Sequence, residues 1–269
     1  MTETSFAPPA DFIETGEYLR FAEFCDACRD SRYIGLCYGV PGVGKTVSAR
    51  HYSHWDDFDK LVGPPPHRIS GIPRDGSGPW RTILYTPGVT NTPRTIEREI
   101  DAIWAAVFGL ASRLNEPSVQ RPRPEPPDLI IVDEADRVKT AGLEQLRDTY
   151  DRRPIGLVLI GMPGLQKRLA RYPQLYSRVG FVHQFLPLGG VELQHVIQRQ
   201  SQQLGLGLEL HDGTDTGVLS SIVRITGGNF RLVERLFAQI HRVAQINEVA
   251  TLTPELVEAA QESLVIGTS

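Results

Sequence analysis

Segments of strand length with apolar centres recur along this chain at residues 33–38, 81–86, 129–132 and 155–160. A strand buried on both faces of a parallel sheet reads this way, because neither face can be polar. Between the runs the apolar period lengthens to that of a helix. Tyr18, Leu19, Phe21, Ala22, Phe24, Cys25 and Cys28 predict a helix over 14–29. Ile96, Ile100, Ile103, Trp104, Val107 and Leu110 predict another from Pro93 to Leu114. Thr92 is placed to cap it and Pro93 to begin it. Helices are also expected over 141–152 and 165–172, with a last strand over 182–186. From Gly189 onward the pattern is helical only, over 191–204, 216–226, 230–247 and 254–264, with a break at Gly227-Gly228.

The expected fold class is therefore α/β: a parallel sheet flanked by helices, followed by a small all-helical domain. Residues 1–13, with Pro8 and Pro9, read as a loose N-terminal arm; 14–188 form the α/β domain and 189–269 the helical one. Residues 56–80, with Pro64-Pro65-Pro66 and four glycines, read as loop. Five prolines between 115 and 127 exclude regular helix there and predict an exposed excursion.

Composition changes this picture little. At 269 residues, 41% hydrophobic and 22% charged, the chain can bury a sizeable core. No apolar run approaches the roughly 18 residues of a membrane span, and no basic-then-apolar leader opens the chain. A cytoplasmic protein without a membrane partner is expected. Three cysteines, an odd number, argue against a disulfide framework. Cys25 and Cys28 make a CxxC with no second pair beside it, and helical spacing explains them as core-facing thiols. The formal net charge of −4 does not advertise nucleic-acid binding, so any such surface must be local.

The chemistry concentrates at Gly39-Val40-Pro41-Gly42-Val43-Gly44-Lys45-Thr46, which fits GxxxxGK[ST] at every position. It follows an apolar strand and opens a helix through Val47. Glycines let backbone N–H groups turn inward around a phosphate, and the helix start adds the positive end of its dipole. Lys45 is expected to reach the β- and γ-phosphates, and the Thr46 hydroxyl to ligate magnesium. Residues 39–47 are thus the expected ATP site. About ninety residues on, Leu129-Ile130-Ile131-Val132 runs into Asp133-Glu134, the form of a Walker B strand. Its C-terminal end opens on the ligand crevice of a parallel sheet. Asp133 is expected to hold magnesium with Thr46, and Glu134 to orient the attacking water.

This order of motifs resembles the AAA+ ATPases. Tyr176-Ser177-Arg178 sits where that superfamily places an arginine finger, and Gly227-Gly228-Asn229-Phe230-Arg231 resembles the sensor 2 motif that opens a lid helix. Asp133-Glu134-Ala135-Asp136, with 156–165, looks like the TniB, TnsC and MuB group, which regulates DNA transposition; the secretion ATPase ExeA carries similar motifs. The resemblance implies a P-loop NTPase domain with a helical lid, Arg178 acting in trans, Arg231 sensing the γ-phosphate, and a homo-oligomer in a ring, spiral or filament. A surface role for either arginine is the competing reading. Sensor 1 is polar in most of the superfamily, whereas here the slot holds Met162, whose thioether orients no water. Slow hydrolysis, or another residue doing that work, follows. Asp136 reads as a solvated or helix-capping carboxylate.

Between Arg152 and Val191 there is no Asp or Glu, while Arg152, Arg153, Lys167, Arg168, Arg171 and Arg178 fall there. A second basic group is Arg94, Arg98, Arg113, Arg121 and Arg123, of which Arg94, Arg98, Arg121 and Arg123 are the candidate DNA contacts. Such binding would be phosphate-dominated and sequence-independent. The resemblance implies an ATPase that assembles with ATP and Mg2+ on double-stranded DNA. It would recruit a transposase, together with a target-selection protein, and be dissolved by hydrolysis. A nucleotide-gated, protein-only scaffold is the alternative, and the sensor-like lid motif argues against a kinase.

Overall fold

The structure, a computed structural model, describes residues 12–56, 81–114, 127–207 and 214–264. Residues 1–11 of the expected arm, 57–80 of the expected loop and 115–126 of the proline-rich excursion lie outside the described residues.

Helix α1 (Gly16–Ser31) leads into strand β1 (Ile34–Tyr38) and, past the glycine-rich loop, helix α2 (Lys45–Tyr52). Then come β2 (Thr82–Tyr85), α3 (Pro93–Leu114), β3 (Leu129–Val132), a 3-10 turn (Ala135–Arg137), α4 (Thr140–Arg152) and β4 (Gly156–Gly161). Two short helices, α5 (Leu165–Leu169) and α6 (Pro173–Tyr176), precede β5 (Val179–Gln184). Among the described residues these strands make one sheet in the order β2-β3-β4-β1-β5. Every pairing is parallel.

Alternation along the strands divides the core between two faces. Leu36, Ile83, Ile130, Val132, Leu157 and Leu159 pack with Ile96 and Ile100 of α3 and Leu143 and Leu146 of α4. Cys37, Leu84, Ile131, Val158 and Ile160 pack with Phe21, Phe24, Cys25 and Cys28 of α1 and Ala49 of α2. Helix α1 lies so close to the sheet that a Cβ on Gly35 would collide with Cys28 Sγ. Register brings the strand ends level: Tyr85 lies beside Val132, Val132 beside Leu159, and Tyr38 beside Gly161. The glycine-rich loop, Asp133 and Met162 therefore leave the same edge of the sheet.

Two elements differ from expectation. Strand β5 begins three residues earlier than residue 182, and half-buried residues alternate with exposed ones along it. One of its faces is exposed, so it lacks the unbroken apolar run of the other strands, and Gly180 packs where a Cβ would strike the Tyr33 ring. The helix expected over 165–172 ends at Leu169, and Pro173, which has no N–H to give, starts a second one.

The other unit comprises Pro187–Ser269 with the residues up to Leu19, against Arg20–Leu186 for the sheet unit. Its helices α7 (Gly190–Gln203), α8 (Thr214–Thr226), α9 (Phe230–Ile246) and α10 (Pro254–Glu262) bury Leu193, Ile197, Ile222, Val233, Phe237, Ile240 and Val257. Asn229 caps α9 by accepting from Leu232 N–H at 3.3 Å, and Thr253 caps α10 the same way. Gly228, at φ 73°, leaves no room for a Cβ against the Leu188 carbonyl. Among the described residues no helix is long and apolar enough to cross a membrane.

Candidate functional site

The loop between β1 and α2 turns on Gly42 (φ 82°) and Gly44 (φ 111°), conformations open to glycine. Gly39 fixes its start: its N–H donates to Gly161 O at 3.3 Å, and a Cβ there would collide with Phe185 O. No side chain caps the N-terminus of α2, so its first N–H groups face the loop without the partner a cap would supply. Lys45 folds back over the loop, Nζ donating to Gly39 O at 2.6 Å and Val40 O at 2.9 Å. Thr46 Oγ1 donates to Asp133 Oδ2 at 2.7 Å, across 87 residues of sequence. The other oxygen of Asp133 accepts Glu134 N–H at 2.9 Å, so this buried carboxylate is doubly bonded. A hydroxyl and a carboxylate oxygen are the hard ligands magnesium takes, and an uncapped helix start suits a phosphate. The residues present fit a magnesium–nucleoside triphosphate.

Glu134 sits in the left-handed region at φ 52°, ψ 41°. A non-glycine residue there is strained, and strain of this kind gathers at functional sites. Its carboxylate forms an ion pair with Arg137, without hydrogen-bond alignment. Arg137 also donates to Pro87 O at 3.3 Å, and its own carbonyl accepts from Asn91 at 3.2 Å. The candidate base is thereby tied to the loop after β2, whose tip, Val89, is 85% exposed. Sequence reasoning missed Arg137, although its i,i+3 spacing from Glu134 was a usable signal.

Met162 points a half-exposed thioether outward, and its backbone N–H donates to Asp136 Oδ2 at 2.6 Å. Asp136 is solvent-exposed, as one of its two expected readings has it. It caps no helix; its carboxylate reaches from the exit of β3 to the exit of β4.

Arg178 immediately precedes β5, and its guanidinium is held bidentately by Asp151 of α4, Nε at 2.6 Å and Nη2 at 2.9 Å. Its Nη1 donates to Gln174 O, so the candidate finger is anchored within its own chain. Arg231 is exposed in the first turn of α9, in the helical unit. Arg94 and Arg98 are exposed one turn apart on α3; Arg121 and Arg123 lie outside the described residues, as does the side chain of Arg113. The acid-free stretch is compensated from elsewhere in the fold: Arg152 pairs with Asp148, Arg153 with Asp101 and Arg178 with Asp151. Arg168 spends its donors on the carbonyls of Asp136 and Val138.

This joined loop-and-strand geometry has relatives. The family model described as AAA domain matches residues 28–169. The chain belongs to the AAA family. It is an AAA ATPase with the P-loop fold, its parallel sheet flanked by helices. A "Potential ATP-binding protein" of Staphylococcus aureus is 44% identical over 269 positions, covering 96% of this chain and 97% of that one. The Mu-like prophage FluMu DNA transposition protein B of Haemophilus influenzae is 27% identical, covering 87% of this chain and 74% of that one. Among solved structures, the Thermotoga maritima RuvB Holliday junction branch migration motor superposes with a TM-score of 0.57 at 16% identity, over 94% of this chain and 70% of that one. Aeropyrum pernix ORC1 in complex with DNA gives 0.55 at 18%, over 92% and 64%. At such identities these two structures speak to the fold alone.

Proposed function

We propose that this AAA ATPase assembles with ATP on double-stranded DNA and regulates the choice of transposition target, recruiting a transposase and releasing it on hydrolysis. The observation that carries the reading is the 27% identity, over 87% of the chain, to a DNA transposition protein B.

Bound ATP and magnesium supply the transferable phosphoryl group and neutralise part of its charge. The backbone of residues 39–47 cradles the phosphates, and Lys45 leaves its loop carbonyls to meet the anionic charge. Thr46 and Asp133 hold the metal. Glu134, once released by Arg137, orients water for attack; the ion pair accounts for slow hydrolysis in the resting protein. Arg178 offsets charge in a neighbouring subunit's site, and Arg231 senses the γ-phosphate from the helical lid (residues 189–269). Arg94, Arg98, Arg121 and Arg123 contact DNA phosphates. In this reading the ATPase domain spans 14–188, and the protein works as a cytoplasmic homo-oligomer with a target-selection protein as partner.

One observation favours a protein-only scaffold: Arg152, Arg153 and Arg178 are already paired with carboxylates. Glu134→Gln separates the readings. It should bind ATP normally, lower hydrolysis at least about a hundredfold, and trap the protein on duplex DNA in a salt-sensitive complex. Trapped oligomers indifferent to DNA would support the scaffold.

A further inference from the structure

Asp136 stands apart from the residues the motifs name. It follows Glu134 by two positions, on the 3-10 turn that leaves β3. Its Oδ2 accepts the N–H of Met162, the first residue beyond β4, at 2.6 Å. The short separation suits a charge-assisted bond. Gly161 is what admits it: a Cβ at 161 would collide with Asp136 Oδ2, so the carboxylate occupies the space a side chain on that residue would take. The turn is held from below as well, because Arg168 of α5 donates to the carbonyls of Asp136, at 2.9 Å, and Val138. Gly161 in turn accepts Gly39 N–H at the mouth of the phosphate loop. The carboxylate thus joins the turn carrying Glu134 to the exit of β4, and a backbone bond joins that exit to the start of the loop.

We propose that Asp136 is a positioning residue acting at the tip of β4. It locks the Glu134 turn to the β4 exit, so that the candidate base and the phosphate loop keep one geometry. The inference rests on the hydrolytic reading of Glu134 given above, and it makes Gly161 a requirement of the site rather than a packing convenience.

Two substitutions break the bond from opposite sides. Asp136→Ala removes the acceptor; Gly161→Ala leaves Asp136 in the sequence and displaces its carboxylate. Asp136→Asn keeps an acceptor oxygen for the Met162 N–H and should rescue. In the nucleotide-free protein, amide hydrogen exchange at Met162 should quicken at least about tenfold in the two alanine variants and stay slow in Asp136→Asn. Their kcat for ATP should fall about tenfold or more, with KM and nucleotide affinity unchanged, because misplacement of the reacting groups is costly. The double variant should lose no more than either single one, as expected when both act on one contact.

Unchanged exchange at Met162, or losses that multiply in the double variant, would overturn the proposal. So would a KM and a melting temperature that move in step with kcat, which would make Asp136 a general scaffold contact. Wild type and Lys45→Ala run alongside: if wild type binds ATP but hydrolyses none that Lys45→Ala does not, the hydrolytic reading fails, while Met162 exchange still reports on the lock.

Discussion

Gly44 carries the most exacting backbone position of the candidate site. It stands at φ 111° directly before Lys45, where an L side chain is strained whatever the space around it. Phe185 approaches no nearer than 3.8 Å, so a methyl group would fit sterically and only the backbone would object. Gly44→Ala should therefore cost about 1–3 kcal/mol through conformation alone. If the loop relaxes to relieve that strain, its N–H groups turn away from the phosphate position. The expected outcome is a lowered melting temperature together with at least about tenfold weaker ATP binding, read by calorimetry and titration. Normal binding in a destabilised protein would show that the loop holds its shape without glycine.

At the scale of elements, α1 and the sheet meet through thiols. Cys25, Cys28 and Cys37 are fully buried in one cluster, with Phe21 and Phe24 around them. Burial, with a smaller push from Glu23, raises the Cys28 thiol from 9.0 to about 12, and burial raises Cys25 well above its usual value. The folded state thus keeps protons that the unfolded chain gives up. Above about pH 9 the native state binds more protons than the unfolded one, so stability falls as pH rises. Melting temperature should hold between pH 7 and 8 and drop beyond pH 9, with part of that slope lost in Cys28→Ala. A thiol reagent at pH 8 should label none of the three until denaturant is added. Rapid labelling of the native protein would contradict the packing of α1 on the sheet.

The inner strands were legible because burial on both faces leaves an unbroken apolar run, and the loop was legible because phosphate chemistry demands a fixed spacing. Strand β5 was legible only in part, since its one exposed face admits Gly180 and Gln184 and breaks the apolar run. The bond from Asp136 to Met162 was invisible for another reason: it joins positions 26 apart that only the β3–β4 register brings together. The partners of the basic stretch from Arg152 were hidden in the same way, because Asp101 and Asp148 reach it through the fold and through a helical turn.

At the scale of the whole molecule, the net charge of −4 gives no overall attraction to DNA, so the proposed reading relies on local basic residues repeated over an array of subunits. Assembly and DNA binding should then be one event, gated by the triphosphate and weakened by salt. Sedimentation of the purified full-length protein with duplex DNA, under ATP or ADP, tests this most directly. The account predicts large complexes that need both ATP and DNA, dissolve on exchange to ADP, and do not form with Lys45→Ala. Complexes that form equally without DNA, or that Lys45→Ala still makes, would contradict it.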